Sequence, residues 1–528
     1  MRLRTLTRLI GLAALTFVGL GGMAARAESV LTVAMTAADI PDDTGAPDQG
    51  YEGYRFVGYT LYDSLVEWDL SHSDKVAEIT PGLATDWAVD PKNNTRWILH
   101  LRKGVKFHDG CPFNADTVTW NFARVMDPKA PQFNARHAAF QGAAIINIAS
   151  VDKVDDDTVA INTKGPDSLL PYDIAEFFMI SPCRLKADGY DYTKFMNNPS
   201  GTGPYKFTSL VPHQRLELVA NKDYWNPKRV PKQDRLVLLP MPEASTRAAA
   251  LLSGQVNFVE APSPDTIPQL KAAGMQIITV PYPHNWDYQV RLDEKPFSDI
   301  RVRQAANYAI NRDEIVEFLQ GIATPAYERL ISTQPWYGNP TKYEYNPDKA
   351  KELLKEAGCV PCEFKVAIST SGSGQMQPLP MNELVKEQLE AVGFKVDLVP
   401  MDWNALIGVW LGGAKKSGFD AMNFSLAPID PVQGILKMNM TKYQSPNGSN
   451  WGNYSNPQVD EWGNEALAEF DPVKRNALLT KINEQSTKDA GEIFIVHDLN
   501  PRALSPKLHG FVQAQSWFQD LTPITVEP

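Results

Sequence analysis

The sequence predicts an α/β fold, with enough chain for about three domains or one elaborated pair of lobes, and three observations carry the α/β expectation. Residues 286–292 alternate, with Trp286, Tyr288, Val290 and Leu292 on one side and Asp287, Gln289 and Arg291 on the other, the pattern of a half-buried strand. A helix follows at once, with Val302, Ala305, Ala306, Ala309 and Ile310 at helical spacing behind a capping Ser298. The order is then reversed further on: Leu384, Val385, Leu389 and Val392 recur at helical spacing before Gly393, and Phe394, Val396 and Leu398 alternate after it. Helix and strand in succession are the rhythm of an α/β architecture.

The first residues lie outside that fold. Arg2, Arg4 and Arg8 precede a short apolar run over 9–20, and Ala25-Arg26-Ala27 has the small-residue spacing of a secretory cleavage site before Glu28. Removing 1–27 with its four arginines leaves 501 residues with 47 basic and 62 acidic side chains, a net charge of −15. Nucleic acid is a poor partner for such a surface. No second long apolar run occurs, so the mature chain is expected to be exported and soluble.

Residues 30–35 form a β-rich opening, and a polar, Gly- and Tyr-rich loop over 42–54 carries Gln49 and Glu52. Residues 59–69, YTLYDSLVEWD, look helical. Trp97, Leu99 and Leu101 share the face of a strand that ends at the Lys103-Gly104 turn, and Asn114 caps the next helix. Asp155-Asp156-Asp157 reads as a hairpin turn, since it lacks the spaced oxygen ligands of a calcium loop. Alternation through Leu216, Leu218, Leu236 and Leu238 gives further strands, and 247–252 a helix. Beyond residue 310, a short helix runs through Ile315, Val316 and Leu319 to a stop at Gly321. Asn346 caps a helix that begins with Pro347 and stops at Gly358; Asn456-Pro457 and Asp471-Pro472 start two more, and 493–496 is an apolar strand.

The four cysteines of an exported chain point to disulfides. Cys359-Val-Pro-Cys362 follows a helix end, the wrong side of a helix for a redox thiolate, and is expected to close on itself, leaving Cys111 and Cys183 for each other. The short loop is worth about 2 kcal/mol and the long one about 4 kcal/mol in the chain-entropy picture.

NWDYQVRLDEKPFSDIRVRQAANYAINRDEIV, PGLATDWAVDPKNNTRWILHLRKGVKFHDGCPFNADTV and NPSGTGPYKF together closely resemble the family 5 extracellular solute-binding proteins, which include the dipeptide- and oligopeptide-binding receptors of bacterial importers. The resemblance covers essentially all of residues 30–525. It implies a periplasmic-binding-protein (Venus flytrap) fold of two α/β lobes with two crossover hinge segments and an extra subdomain in the first lobe. By that alignment 28–73, 199–284 and 500–528 make the first lobe, 74–198 the subdomain and 285–499 the second lobe. It also implies a substrate-binding component of an ABC transporter, a monomer that takes a small solute or short peptide between its lobes and passes it to an inner-membrane permease, with no cofactor.

The same resemblance places Trp286 and Tyr288 at the hinge and Trp336, Trp403, Trp410, Trp451 and Tyr454 in segments bordering the cleft, with Gln49 and Glu52 reaching it from the first-lobe loop. An aromatic wall with a few placed polar groups suits a small-molecule cleft. Asn423 and Asp430 belong to the stretch NFSLAPIDP, in which peptide-binding members place a carboxylate for the peptide ammonium; here Ala427 stands at that place, and Asp430 is the nearest acid. A non-peptide cargo such as an opine, an aromatic acid or a saccharide is the alternative. The chain lacks GxSxG, HExxH and GxxxxGK[ST], and its eight histidines show no paired ligand spacing, which disfavours the reading as a secreted hydrolase.

Overall fold

A computed structural model describes residues 28–45, 52–370, 376–445 and 448–527. Among them, two mixed sheets and one antiparallel sheet organise the chain. The first mixed sheet has seven strands in the order Gln276–Ile278, Arg502–Leu504, Phe258–Glu260, Val30–Met35, Arg235–Pro240, Arg215–Ala220, Tyr205–Val211. Val30–Met35 runs parallel to both of its neighbours and is central. Its Leu31 and Val33 share one core with Leu216, Leu218, Leu236 and Leu238, so the alternation seen in the sequence is that of a sheet with a packed face.

The antiparallel sheet (Ala84–Asp90, Asn93–Leu101, Thr158–Thr163, Ile148–Asp155) is the subdomain. Trp97, Leu99 and Leu101 point into its core, and the three aspartates turn the hairpin, with Asp157 N–H donating to Asp155 (2.9 Å) and Lys153 and Lys103 neutralising Asp156 and Asp157. Asn114 caps Ala115–Met126 through a reciprocal bond with Thr117. Cys111 and Cys183 are bonded, as are Cys359 and Cys362.

The second mixed sheet runs Ala323–Pro325, Glu492–Asp498, Asn285–Val290, Ala421–Asn423, Cys362–Ser369, Phe394–Met401. Three local expectations change here. The strand at 285–290 is buried on both faces, Asp287 and Gln289 included, because it is central in its sheet and covered on both sides. The following helix, Ile300–Ala309, is capped by Asp299 rather than Ser298: the carboxylate accepts from Arg301 N–H at 2.9 Å and also holds the Arg301 guanidinium. And residues 59–69 are not one helix. The helical run stops at Leu61, Tyr62 is extended, and Val66–Trp68 pairs as a strand with Ile79–Pro81. The NPSGTGPY loop forces the stop, for Gly201 and Gly203 lie directly on the Leu61 backbone, with Gly203 N–H donating to Leu61 O at 3.0 Å.

Candidate functional site

The carboxyl ends of the parallel strands in the two mixed sheets face each other. In the first lobe these ends are Met35, Pro240 and Glu260; in the second they are Ser369, Met401 and Asn423. Both crossovers, residues 279–284 and 499–501, leave from these edges, since Arg502 pairs with Ile278 and Glu260 while Asn285 pairs with His497. Ligands of α/β sheets bind outside the carboxyl ends of strands, so the gap between the edges is the candidate site.

The first-lobe edge carries a buried charge cluster. Arg55 pairs with Glu260 and with Glu52 (3.4 Å), donates Nε to Trp517 O at 2.8 Å, and lies 3.7 Å over the Trp517 ring. Arg502 stands 3.7 Å from Glu260, and Thr36 donates to Glu52 and Glu260, each at 3.1 Å. Burial draws both guanidinium groups down to about 10, so they stay charged at neutral pH beside the Glu52 and Glu260 carboxyl groups. Glu52 is therefore fully buried in this cluster, and Gln49 falls outside the described residues. Across the two crossovers His284 Nδ1 meets the Asp498 carboxylate, the Tyr282 hydroxyl donates to Asp498 at 3.4 Å, and the His284 ring packs between Tyr282 and Trp517. One crossover is thereby tied to the other.

The second-lobe edge is aromatic. Phe424, one residue past the strand end, is sandwiched between Trp403 (centroids 5.2 Å, planes 9° apart) and Trp410 (5.4 Å, 4°). Both tryptophans are half-buried. Trp451 joins this cluster and donates its indole N–H to Val409 O at 3.1 Å. The structure thus brings Trp403, Trp410 and Trp451 together.

The other candidates are held in contacts of their own. Trp286 and Tyr288 sit in the second-lobe core. The Tyr288 hydroxyl donates to Asn382 (2.6 Å), Asn382 to Asn423 (3.0 Å), and Asn423 to Asp287 O (2.8 Å), a chain within that lobe. Trp336 packs with Leu169, Val432 and Leu436, and Tyr454 donates to Asp489. Asp430 caps its own loop, accepting from Val432 N–H (2.7 Å) and Gln433 N–H (2.8 Å).

The lobes are closed on each other through a segment that the sequence did not single out. Ser168 bonds Leu467 O and Ala466 O, each at 2.8 Å, Arg475 donates to Ser168 O at 3.0 Å, and Lys437 Nζ lies 3.4 Å from Asp173. Ile429 of the second lobe belongs to the first-lobe core beside Tyr59, Trp68 and Trp517. Burial pushes Asp173 up to about 8, and burial together with Asp430 does the same to Glu176. The signal in the sequence was there: Asp173 and Glu176 interrupt an apolar stretch, SLLPYDIAEFFMI, where acids are scarce unless they have a task.

Comparison with known proteins agrees with this architecture. The family model "Bacterial extracellular solute-binding proteins, family 5 Middle" matches residues 78–447. The chain is 28% identical over 505 residues to the heme-binding protein A of Haemophilus influenzae (90% of this chain, 88% of that one). It is also 28% identical over 500 residues to the dipeptide-binding protein of Escherichia coli (89% and 90%). Its fold superposes on an ABC transporter-associated periplasmic binding protein of Helicobacter pylori, solved with the peptide STSA, with a TM-score of 0.80 at 23% identity over 95% of this chain and 98% of the other. With its two sheets edge to edge across paired crossovers, the chain belongs to the bacterial extracellular solute-binding proteins of family 5.

Proposed function

We propose that this protein is the periplasmic receptor of an ABC importer: a monomer, exported by the signal over residues 1–27, that takes a peptide or peptide-like solute between its lobes and delivers it in the closed form to an inner-membrane permease. The observation that carries this reading is the meeting of the two carboxyl edges, one charged and one walled by Trp403, Phe424 and Trp410, over crossovers tied by His284 and Asp498. We take 28–73, 199–284 and 500–528 as the first lobe, 74–198 as its subdomain and 285–499 as the second. A solute touching both edges gains contacts only on closure, and that difference in affinity is what moves a hinge. Micromolar capture corresponds to about −8 kcal/mol, within reach of a few desolvated aromatic contacts and one paired charge.

A second reading, the same receptor for a non-peptide solute, is favoured by one observation: Ala427 carries no charge and Asp430 is engaged in capping. Relatives named for dipeptides and for heme bracket that range. A thermal-shift screen of dipeptides, opines, aromatic acids and saccharides, followed by calorimetry, decides between them. Stabilisation by dipeptides supports the first reading, stabilisation by another class alone the second, and hydrolysis of chromogenic ester, peptide or glycoside substrates overturns both.

A further inference from the structure

We infer that Glu176, with Tyr59, Trp68 and Tyr172, forms a first-lobe subsite for a cationic group of the cargo, an ammonium or guanidinium, that the second lobe closes with Ala427 and Ile429. The inference rests on the proposed receptor function and specifies the charge of what the receptor takes.

Glu176 is half-buried between Ala175 and Phe177, which both point into cores, and no Lys, Arg or His of the described residues lies within ion-pair distance of it. Trp68 and Tyr59 border it. The Trp68 indole N–H approaches Glu176 closely enough to draw its pKa down, and the Trp68 backbone does the same for the Tyr59 hydroxyl, but neither buried group completes a hydrogen bond of good geometry. Trp68 and Tyr59 are each 4% exposed. Tyr172 lies 5.9 Å from Trp68, ring centre to ring centre. A desolvated carboxyl, aromatic faces and two hydrogen-bonding groups with no well-formed bond are together what a cation with a polar neighbour requires. Opposite them, Ile429 is built into this cluster and Ala427 packs against it, and neither brings a competing charge.

The charged and titratable groups that face Glu176 are Asp173 and Tyr59 of the first lobe and Asp430 and Lys437 of the second. Burial and Asp430 keep its proton on to about 8. A bound cation favours the carboxylate, so capture at pH 7 expels that proton to solvent and tightens as pH rises towards 8.

Calorimetry on the full mature protein tests this with two probe pools: dipeptides beside their N-acetylated forms, and aromatic amines (benzylamine, phenethylamine) beside the matching alcohols. Buffers of different ionisation enthalpy at pH 7 count protons. Expected are binding of the amine forms at least tenfold tighter than of the neutral forms, release of close to one proton, and loss of both effects in Glu176→Gln, which mimics the protonated side chain. Proton counting on the wild type needs no variant, so a misfolded Glu176→Gln does not rescue the inference. Amines bound while dipeptides are not keeps the subsite and removes the peptide reading. Equal binding of neutral and cationic forms, an unchanged Glu176→Gln, or silence from both pools overturns the subsite.

Discussion

Lys437 of the second lobe extends its ammonium to Asp173 of the first, and each of the two side chains keeps only 4% of its surface exposed. The pair bridges the two lobes and joins Asp167 and Asp430 in one buried acidic neighbourhood.

Closure is therefore expected to depend on pH. Asp173 has its pKa raised to about 8 in the closed form, with burial the largest cause, whereas in an opened cleft it returns towards the ordinary 3.9. The closed form binds the extra proton between these values, so its advantage is complete below about pH 4 and is lost as pH climbs through 8. Small-angle scattering of cargo-free protein should show the radius of gyration growing from pH 5 to pH 9, and Asp173→Asn should flatten that profile. A radius independent of pH in the wild type would count against the coupling.

Asp287→Asn should stabilise the protein at neutral pH. Asp287 is buried within the second lobe, its pKa raised well above normal by burial and then by Glu492, with Arg329 pulling the other way. A raised carboxyl favours the folded state fully below the unfolded value of about 3.9, and that contribution is lost progressively as pH rises from there through the raised folded-state value. The amide copies the protonated shape without the cost. Thermal melts should separate variant from wild type by about 1–3 kcal/mol at pH 8 and by little at pH 4.

In the second-lobe edge, wall and cap should respond differently. Trp403→Ala, which removes one layer of the three-ring stack, should weaken cargo binding by about 2 kcal/mol. Asp430→Ala removes a cap acceptor for two N–H groups and should cost about 1 kcal/mol in folding. Asp430→Asn, which can still accept there, should leave folding close to wild type. Calorimetric titration beside melting curves reads the two effects independently.

Gly201→Ala is expected to be far more damaging than Gly165→Ala. A Cβ on Gly201 would stand 2.0 Å from Leu61 O, a backbone atom that cannot step aside, whereas one on Gly165 meets nothing within 4 Å. Denaturant titration should show a loss above 3 kcal/mol for the first, in the range of severe overpacking, and less than 0.5 kcal/mol for the second.

What could be read in the sequence was whatever is decided locally. The helix from Asn346 through Pro347 to the left-handed Gly358 (φ +68°), and the starts at Asn456 and Asp471, follow from caps a few residues apart. Alternation located the strand at 285–290, yet could not say that its polar side is buried too, because that depends on the strands at 421–423 and 492–498 beside it. Val66–Trp68 was read as helical for a similar reason: its partner lies a dozen residues on, and two glycines more than a hundred residues away end the helix before it. Of the site, Trp403, Trp410 and Trp451 were named only through the family resemblance, which set Trp336 and Tyr454 beside them although those two pack elsewhere. Glu176 and Asp173 stood out only as acids inside an apolar stretch, and nothing short of the closed fold sets them against Lys437 and Ile429.

The place of Arg502–Leu504 in the first sheet, between Phe258–Glu260 and Gln276–Ile278, sets an order of assembly. The second lobe is spelled out in one uninterrupted stretch and can gather its sheet as soon as residue 498 has emerged. The first lobe cannot: Gln276–Ile278 has no neighbour to join until a strand encoded more than two hundred residues later arrives, and Phe258–Glu260 keeps an unpaired edge until then. Synthesis from the N-terminus therefore leaves the older half unfinished, with an aggregation-prone edge exposed until the end of the chain appears, and a truncation between residues 498 and 502 should leave a folded second lobe attached to a first lobe that never closes its sheet.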